Sequence, residues 1–391
     1  MMRVPAYALA SLLVVAGLAA CQTRSGVVPS EPASAAVSGP AAQPSAGPSA
    51  EPSAGSGEVL PADTQARATG VRVNVVEEAM GTRIVLASFT TEAMDAGAVT
   101  AALRSGFREI QRLEALMTSW REDSEVSGIN RAAGREPVMV SPETLDVITK
   151  SLWISERSEG TFDITFASMG KLWRFDQDRI PLIPAAEALE TARRRIDYKQ
   201  VRIDPAARTV MLARPETKIS LGGIAKGYAV DRAAVVMRQA GLSAFYVQAG
   251  GDLYVEGTKP DGKPWTVGVR DPRGAEGDVF AVLPVTNHAF STAGDYERAF
   301  VKGGQRFHHI IDPRTGYPAT ESRSVTVWAA DALTADAIDD AVFILGPDKG
   351  LELVESIDGC GAVIVDKDNQ VWVSSRLEGL VQMIRDPTPG I

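Results

Sequence analysis

The sequence Ile219-Ser-Leu-Gly-Gly-Ile-Ala-Lys-Gly-Tyr-Ala-Val-Asp-Arg-Ala233 predicts a glycine-rich turn that leads into a helix. Its glycines let the backbone approach a ligand closely, and a helix is predicted to begin just after them. Helix N-termini present free N–H groups to anions, and Lys226 adds positive charge there. The segment matches neither the Walker loop nor the Rossmann fingerprint. Two interpretations stay open, an anion-binding turn or a plain turn with a solvated lysine.

Helices and strands are interspersed on both sides of this turn, and many strands are joined by short connections. Apolar residues three or four apart predict a helix over 92–117, and Ser141-Pro142 opens another. The other predicted elements are a strand pair over 71–87 around Met80-Gly-Thr, a hairpin over 201–213, strands over 245–255, 265–269, 279–285 and 324–330, a helix over 334–345 and a strand pair over 362–374. This pattern favours a mixed α/β fold, of the α+β kind, over a strictly alternating parallel one.

Two further segments carry polar residues between apolar runs. Gln248-Ala-Gly-Gly-Asp-Leu253 reads, taken alone, as an ordinary hairpin turn. His308-His-Ile-Ile-Asp-Pro-Arg-Thr-Gly316 holds two of the three histidines of the chain. Histidine titrates near neutral pH, so this pair beside two turns favours proton transfer or ligand binding over a place in the core.

An acidic group lies at helical spacing in Asp336-Ala-Ile-Asp-Asp-Ala-Val-Phe-Ile-Leu-Gly346. Asp336 and Asp340 are i,i+4 neighbours, and Asp339 is three residues from Asp336, so the three carboxylates share one helix face and repel one another. A hard divalent cation such as Mg²⁺ would relieve that repulsion. The alternative is a solvated acidic face near a helix N-terminus, where the dipole favours anions.

The composition excludes several classes of protein. The chain has 391 residues, of which 45% are hydrophobic and 23% charged, as is typical of globular domains. Its formal net charge is −9, which makes nucleic acid an unfavourable partner. A small molecule or another protein is the expected ligand.

The N-terminal 20 residues have the pattern of a signal peptide, with one charge and then an apolar run. Leu18-Ala-Ala-Cys21 resembles the lipobox of bacterial lipoproteins, which implies cleavage before Cys21 and lipidation of its sulfur. The alternative is an ordinary secretory signal that is followed by an incidental cysteine. Residues 21–70 then form the lipidated cysteine and a linker rich in Pro, Ala, Ser and Gly that cannot bury a core. The catalytic body is predicted over 71–386. The other cysteine, Cys360, is predicted to be a buried small hydrophobe.

The motifs together resemble one family, the FAD:protein FMN transferases or ApbE flavin transferases. The resemblance covers nearly the whole body, and the order of the motifs makes it specific. The residues that carry it are Met80-Gly-Thr, Trp120, Asp123-Ser-Glu-Val-Ser127, Asn130, Gly160-Thr-Phe-Asp-Ile-Thr165, Gly222 to Ala233, Ala249-Gly-Gly-Asp252, Thr292-Ala-Gly-Asp-Tyr-Glu-Arg298, His309-Ile-Ile-Asp-Pro-Arg-Thr-Gly316 and Asp336 to Gly346.

The resemblance implies an ApbE-like fold, with mixed or antiparallel sheets flanked by helices, and a reaction. Such enzymes pass FMN from FAD to a threonine hydroxyl of a target protein and release AMP, with Mg²⁺ at the phosphates. It implies His309 and Asp336 as catalytic residues and Gly223, Asp336, Asp339 and Asp340 around the metal. The implied flavin contacts are Met80, Trp120, Thr161, Phe162, Asp163, Ser220, Lys226 and His309. His309 would either contact FAD or assist removal of the threonine proton.

Two positions depart from the family pattern. Ser220 stands where the family commonly has Asp, which weakens one polar contact to the nucleotide. Asp340 stands where the family commonly has a Thr metal ligand, and a carboxylate should bind Mg²⁺ at least as well. An FAD pyrophosphatase and a flavin-binding lipoprotein without enzymatic activity are the rival functions. By family analogy, the acceptor is a membrane redox subunit, and the enzyme is a lipid-anchored protein facing the periplasm, on the inner rather than the outer membrane.

Overall fold

The computed structural model describes residues 14–15, 70–175 and 181–391. The predicted lipidation site and linker lie outside the described residues, as does the signal peptide apart from Val14–Val15, so the boundaries at 20 and 70 stay predictions. The helices are α1 Ala96–Met117, α2 Glu125–Ala132, α3 Pro142–Arg157, α4 Ala186–Arg193, α5 Ala225–Gln239 and α6 Ala332–Glu355, with 3₁₀ turns at Ile164–Met169, Tyr198–Gln200 and Ser375–Leu377.

The strands of the described residues form four sheets. They are β1 Val14–Val15, β2 Arg72–Ala79, β3 Thr82–Phe89, β4 Val138–Met139, β5 Val201–Asp204, β6 Thr209–Leu212, β7 Phe245–Ala249, β8 Asp252–Glu256, β9 Trp265–Arg270, β10 Val279–Val285, β11 His288–Gly294, β12 Ala299–Lys302, β13 Gln305–His308, β14 Ser322–Ala329, β15 Gly361–Asp366, β16 Val371–Val373 and β17 Gln382–Met383. The sheet orders are β16-β15-β14-β11-β8-β7-β3-β2, β1-β9-β10-β17, β4-β6-β5 and β12-β13.

The eight-stranded sheet is antiparallel at every strand pair and separates two apolar cores. On one face it packs against helices, including α1, α5 and α6, and these elements share the larger core. On the other face, side chains such as Leu253 and Val363 pack against Trp265 and Phe280 of β9 and β10. The fold is therefore mixed α/β, as predicted, with both faces of the central sheet covered.

Local sequence signals set the ends of several helices. Helix α1 begins at Ala96 rather than at 92 because the Asp95 side chain accepts a hydrogen bond from Ala98 N. The predicted cap of α3 is confirmed, since the hydroxyl of Ser141 accepts from Thr144 N and Pro142 opens the helix. Helix α6 continues well past the predicted end at 345, but Gly346 has φ +77° and Pro347 follows it, so the helix is broken there.

The strand predictions were largely correct. The hairpin over 201–213 and the strand over 279–285 are confirmed. The span 245–255 divides into β7 and β8, which turn through Gly250 and Gly251. Strands β11, β12 and β13 were not predicted, nor were helices α2 and α4. Cys360 is buried and unpaired, as expected. None of the helices in residues that the structure describes is both long and apolar enough to cross a membrane.

Candidate active site

The glycine-rich turn places the start of α5 beside α6. Ser220 N donates to Ile164 O, and Ile219 exchanges two hydrogen bonds with the side chain of Asn130, so the approach to the turn is fixed. A β-carbon added at Gly223 would lie 3.4 Å from Asp340 Oδ2 and 3.6 Å from the Phe162 ring. The Gly223 backbone thus borders both an acidic and an aromatic side chain, and the predicted metal and flavin contacts of these residues stay predictions.

Helix α5 and helix α6 approach very closely at Gly227. A β-carbon on this residue would lie 2.2 Å from Ala332 O and 2.7 Å from Asp336 Cβ, so only glycine fits without displacement. The Gly227 amide donates to Asp336 Oδ2 at 2.8 Å. This contact holds the Asp336 carboxylate at the first turn of α5.

Lys226 forms ion pairs inside the protein. Its Nζ lies 2.9 Å from Asp252 Oδ2 and 3.2 Å from Asp336 Oδ1. Nearby carboxylates raise the pKa of Lys226 against the opposing effect of burial, so it is protonated. The interpretation of this residue as a solvated lysine is therefore wrong, and the ammonium belongs to the acidic cluster.

Asp252 and Ser291 complete the cluster from the central sheet. Asp252 is the first residue after the Gly250–Gly251 turn and is fully buried. The Ser291 hydroxyl lies 2.7 Å from Asp252 Oδ1 and 2.6 Å from Asp339 Oδ2. The Gly-Gly-Asp segment is the hairpin turn that its sequence predicted, yet its aspartate joins the site. The sequence analysis did not predict that Asp252 and Ser291 belong to the cluster. A charged residue at the start of a buried apolar strand, as at Asp252, was a visible signal.

The three predicted carboxylates of α6 do lie together, but they are mostly buried. Asp336 and Asp339 are 2% and 5% exposed, and Asp340 is half-buried. The alternative of a solvated acidic face is therefore wrong. Burial and the neighbouring carboxylates raise the pKa of Asp339 well above its usual value and that of Asp340 to about 6. Burial and the Asp336 charge also raise the pKa of Asp252 to about 7.

This cluster suits a hard cation in its charge and donor atoms. Four carboxylates surround one ammonium, so negative charge is in excess. No donor among the described residues hydrogen-bonds to the Asp340 carboxylate, which lies beside the Gly223 backbone. In the same part of the chain, no three His, Cys, Asp or Glu side chains are arranged to hold a metal. Asp336 and Asp340, with a main-chain carbonyl, form the donor set nearest to the Gly223 backbone, and Asp339, whose oxygens contact Ser291 and the Asp340 amide, stays a predicted further ligand.

The two adjacent histidines have different environments. His308 is buried against Phe343, and its Nε2 contacts Ala319 O, so this histidine belongs to the core, contrary to expectation. The His309 side chain is exposed and has no hydrogen-bond partner among residues with described positions. Desolvation by the surrounding protein, with His308 and the Arg298 and Lys226 cations, lowers the pKa of His309 to about 3. His309 therefore carries a neutral imidazole near neutral pH.

The other predicted flavin contacts are distributed around the turn, and their roles stay predictions. Phe162 lies next to Gly223, and Ser220 Oγ accepts from Gly222 N. Trp120 is 81% exposed, with Lys171 Nζ 5.1 Å from its ring centre. Met80 occupies the β2–β3 turn, and its amide donates to Glu114.

Thr161 and Asp163 are engaged within the chain. The buried Thr161 hydroxyl donates to Ser158 O. The Asp163 carboxylate accepts from Thr165 and from Tyr198 N, which fixes the 3₁₀ turn that follows it. Burial raises the pKa of Asp163 to about 6 despite these hydrogen bonds. In the described residues both side chains support the loop that contains Phe162, which is itself buried in the larger core.

Comparison with known proteins gives the same family from sequence and structure. The ApbE family model matches residues 80–364. The FAD:protein FMN transferase of Treponema pallidum is 33% identical over 304 residues, covering 74% of this chain and 83% of the relative. That of Klebsiella pneumoniae is 34% identical over 266 residues, covering 66% and 76%.

Solved structures agree with the fold. The ApbE protein of Thermotoga maritima superimposes with a TM-score of 0.71 at 32% identity, covering 79% of this chain and 99% of that one. The flavin transferase ApbE of Vibrio cholerae gives 0.69 at 26% identity, covering 80% and 99%. The predicted mixed α/β, ApbE-like fold is therefore confirmed. With the family model spanning the acidic cluster, the glycine-rich turn and His309, the chain belongs to the ApbE family.

Proposed function

We propose that this protein catalyses Mg²⁺-dependent transfer of FMN from FAD to a threonine hydroxyl of an acceptor protein, with release of AMP. The transferase assignment follows from membership of the ApbE family and from curated relatives that are FAD:protein FMN transferases. The single observation that supports the chemistry best is the acidic cluster at Asp336 and Asp340 beside the Gly223 backbone. It puts a cation-binding donor set next to a turn suited to phosphates.

In the proposed reaction, the threonine oxygen attacks the phosphorus of the FMN half of FAD. A new P–O bond forms, the bond from that phosphorus to the bridging oxygen breaks, and AMP leaves with that oxygen. The proton of the hydroxyl passes to His309. The low pKa of His309 keeps its imidazole neutral and able to accept a proton, and nearby phosphate charge would increase its basicity.

Asp336, Asp340 and the main-chain carbonyl of Gly223 would hold the Mg²⁺ ion. When bound, this ion neutralises charge on the diphosphate and on the leaving AMP. The positive dipole end of α5, whose Gly227 amide already donates to Asp336, and the Lys226 ammonium would add positive charge near the phosphates. The Phe162 ring lies beside Gly223 but is only 6% exposed, so Trp120, which is 81% exposed, offers the open aromatic surface.

The test separates transfer from its two rivals. The purified protein is incubated with FAD, Mg²⁺ and a co-expressed candidate acceptor, a periplasmic domain of a membrane redox subunit. Transfer gives flavin fluorescence on the denatured acceptor and a mass increase of FMN less one water on a threonine. Free FMN and AMP without acceptor labelling would indicate a pyrophosphatase, and intact FAD would indicate a binding protein. Replacing the labelled threonine with valine should abolish labelling.

We also propose that the protein is a lipoprotein facing the periplasm, anchored through Cys21. The Leu18-Ala-Ala-Cys21 sequence and the small-residue linker after it support this location. The wild-type protein should partition into the detergent phase of a Triton X-114 extraction, and Cys21→Ser should remain in the aqueous phase. Equal partitioning of the two proteins would contradict the anchor.

A further inference from the structure

We infer that Asp252 is a positioning residue, which holds the Lys226 ammonium so that a divalent cation can displace it from Asp336. The inference rests on the metal ligands proposed above and assigns a task to a residue outside that ligand set. Lys226 Nζ lies between two carboxylates, 2.9 Å from Asp252 Oδ2 and 3.2 Å from Asp336 Oδ1. In the described structure, therefore, the ammonium is the counter-ion of a carboxylate that the metal would use.

An ammonium and a divalent cation compete for the same carboxylate. Asp336 Oδ2 accepts the Gly227 amide, and Oδ1 faces Lys226. A cation bound between Asp336 and Asp340 would be repelled by an ammonium left on Asp336. For the metal to bind tightly, Lys226 needs a second anionic partner close enough to take over its charge.

Asp252 has the position and the contacts to be the second anionic partner of Lys226. It is fully buried at the start of β8, next to the two-glycine turn, so its backbone has little freedom to move. The Ser291 hydroxyl contacts Oδ1 at 2.7 Å, which leaves Oδ2 directed at Lys226. The Lys226 side chain is long and flexible, whereas that of Asp252 is short and fixed. The ammonium can therefore leave Asp336 by a small movement and keep its contact with Asp252.

Metal binding in the absence of FAD tests this directly. Mn²⁺ is titrated into the full chain and followed by electron paramagnetic resonance, so that turnover is not needed. Asp252→Asn should weaken Mn²⁺ binding by at least about tenfold, comparable to loss of a residue that orients a metal ligand. Lys226→Met should tighten Mn²⁺ binding, because it removes the competing charge.

A double-mutant cycle distinguishes positioning from simple loss of negative charge. If Asp252 acts through Lys226, Asp252→Asn should change Mn²⁺ affinity by less than about threefold in the Lys226→Met background. The same fold-change in both backgrounds would overturn the inference, as would weaker binding by Lys226→Met alone. Asp336→Asn tests the ligand assignment separately and should weaken Mn²⁺ binding. Unchanged affinity in that variant, or a wild-type chain that binds no Mn²⁺, overturns the ligand assignment together with this inference. Additive effects in the double-mutant cycle overturn the inference only.

Two additional variants separate an effect on Mn²⁺ binding from an effect on folding. Asp271→Asn removes another fully buried aspartate, one that binds Thr388 instead of Lys226, and should lower stability without changing Mn²⁺ affinity. Ser291→Ala keeps every charge but frees Asp252 Oδ1, and should weaken Mn²⁺ binding in the same direction as Asp252→Asn. If Asp252→Asn does not fold, unchanged Mn²⁺ affinity in Ser291→Ala would overturn the inference.

Discussion

The side chains of this site differ in whether they already hold a contact within the chain or are available to bind a ligand. Asp336, Asp339 and Asp252 each hold a contact within the chain, whereas the Asp340 carboxylate receives no hydrogen bond from the described residues. Removing Asp340 should therefore harm ligand binding more than folding, because no internal contact is lost with it. His309 is in a similar position among the histidines, since its imidazole is exposed while that of His308 is packed.

Asp340→Asn should weaken Mg²⁺ activation of transfer by more than about 100-fold, since loss of an outer-shell partner alone costs about 10–100-fold. In the wild-type protein, the pKa of about 6 means that protons occupy Asp340 below that pH and compete with the metal. The Mg²⁺ concentration for half-maximal rate should therefore rise as pH is lowered from about 7.5 to about 5.5. Initial rates across Mg²⁺ concentrations measure both effects. A pH-independent requirement would contradict the assignment of Asp340.

His309→Gln should reduce FMN transfer by about 10²–10⁴-fold, the usual contribution of a general base. FAD affinity, measured by flavin fluorescence quenching, should change little because glutamine retains polar contacts. His288→Gln is the control, since that ring stacks on Trp328 with its centre 4.1 Å away and lies outside the acidic cluster. If the two variants transfer FMN equally well, His309 does not accept the proton.

At the scale of elements, the site depends on the distance between α5 and α6. Their contact at Gly227 leaves no room for a side chain, and the Asp336 carboxylate binds the backbone at that same point. Asp231, one turn further along α5, accepts the amides of Ala332 and Leu333 at the start of α6. The two helices are thus joined by polar contacts as well as by the core, and their separation sets the position of Asp336.

Gly227→Ala should destabilise the protein by about 1–3 kcal/mol, because overpacking must push α6 away from α5. Metal activation should weaken in parallel, since Asp336 moves with α6. Gly128→Ala is the matched helical control, because a β-carbon there would contact nothing closer than 3.9 Å. That control should be neutral or slightly stabilising, in line with helix propensity. Urea unfolding measures both free energies, and equal values would show that the helices tolerate a methyl group.

Periodicity and capping signals predicted the elements that have strong local patterns. Helix α3 was predicted at its first residue because Ser141 and Pro142 act locally. Strand β11 was missed because its register depends on partners far along the chain, in β8 and β14. The acidic group of α6 was predicted because its members lie at helical spacing within one segment. The local sequence around Asp252 signals a buried charge at the start of a strand, but it does not name the partner, since the 2.9 Å contact is with a residue 26 positions earlier.

On the scale of the whole molecule, the described structure buries several carboxyl groups. Raised pKa values are found at Asp163 and Asp340, at about 6, at Asp231 and Asp252, at about 7, and at Asp339. Burial is the main cause in each case. Burying several carboxylates costs stability, and in the acidic cluster it leaves more negative charge than Lys226 neutralises.

The metal-free protein should become more stable as pH is lowered from about 8 to about 6. In this range the folded state binds more protons than the unfolded state, in which the carboxyl pKa values are near 4, so the free energy of unfolding rises on acidification. His308 and His309, whose pKa values are lowered, oppose this trend but are fewer. Thermal unfolding by circular dichroism measures it. Asp231→Asn should reduce the slope, and a melting temperature that falls on acidification would contradict the burial of these charges.

The two-residue hairpin at Gly250 and Gly251 limits the insertions and deletions that this protein can accept during evolution. Strand side chains alternate between faces, so inserting or deleting one residue there would turn Asp252 away from α5 and toward the opposite core. Gly251 also lies against Thr292, where a β-carbon would approach the carbonyl oxygen to 2.7 Å. Loop-length variation, which most surface hairpins tolerate, should therefore be absent at this hairpin in any homologue that still binds the metal.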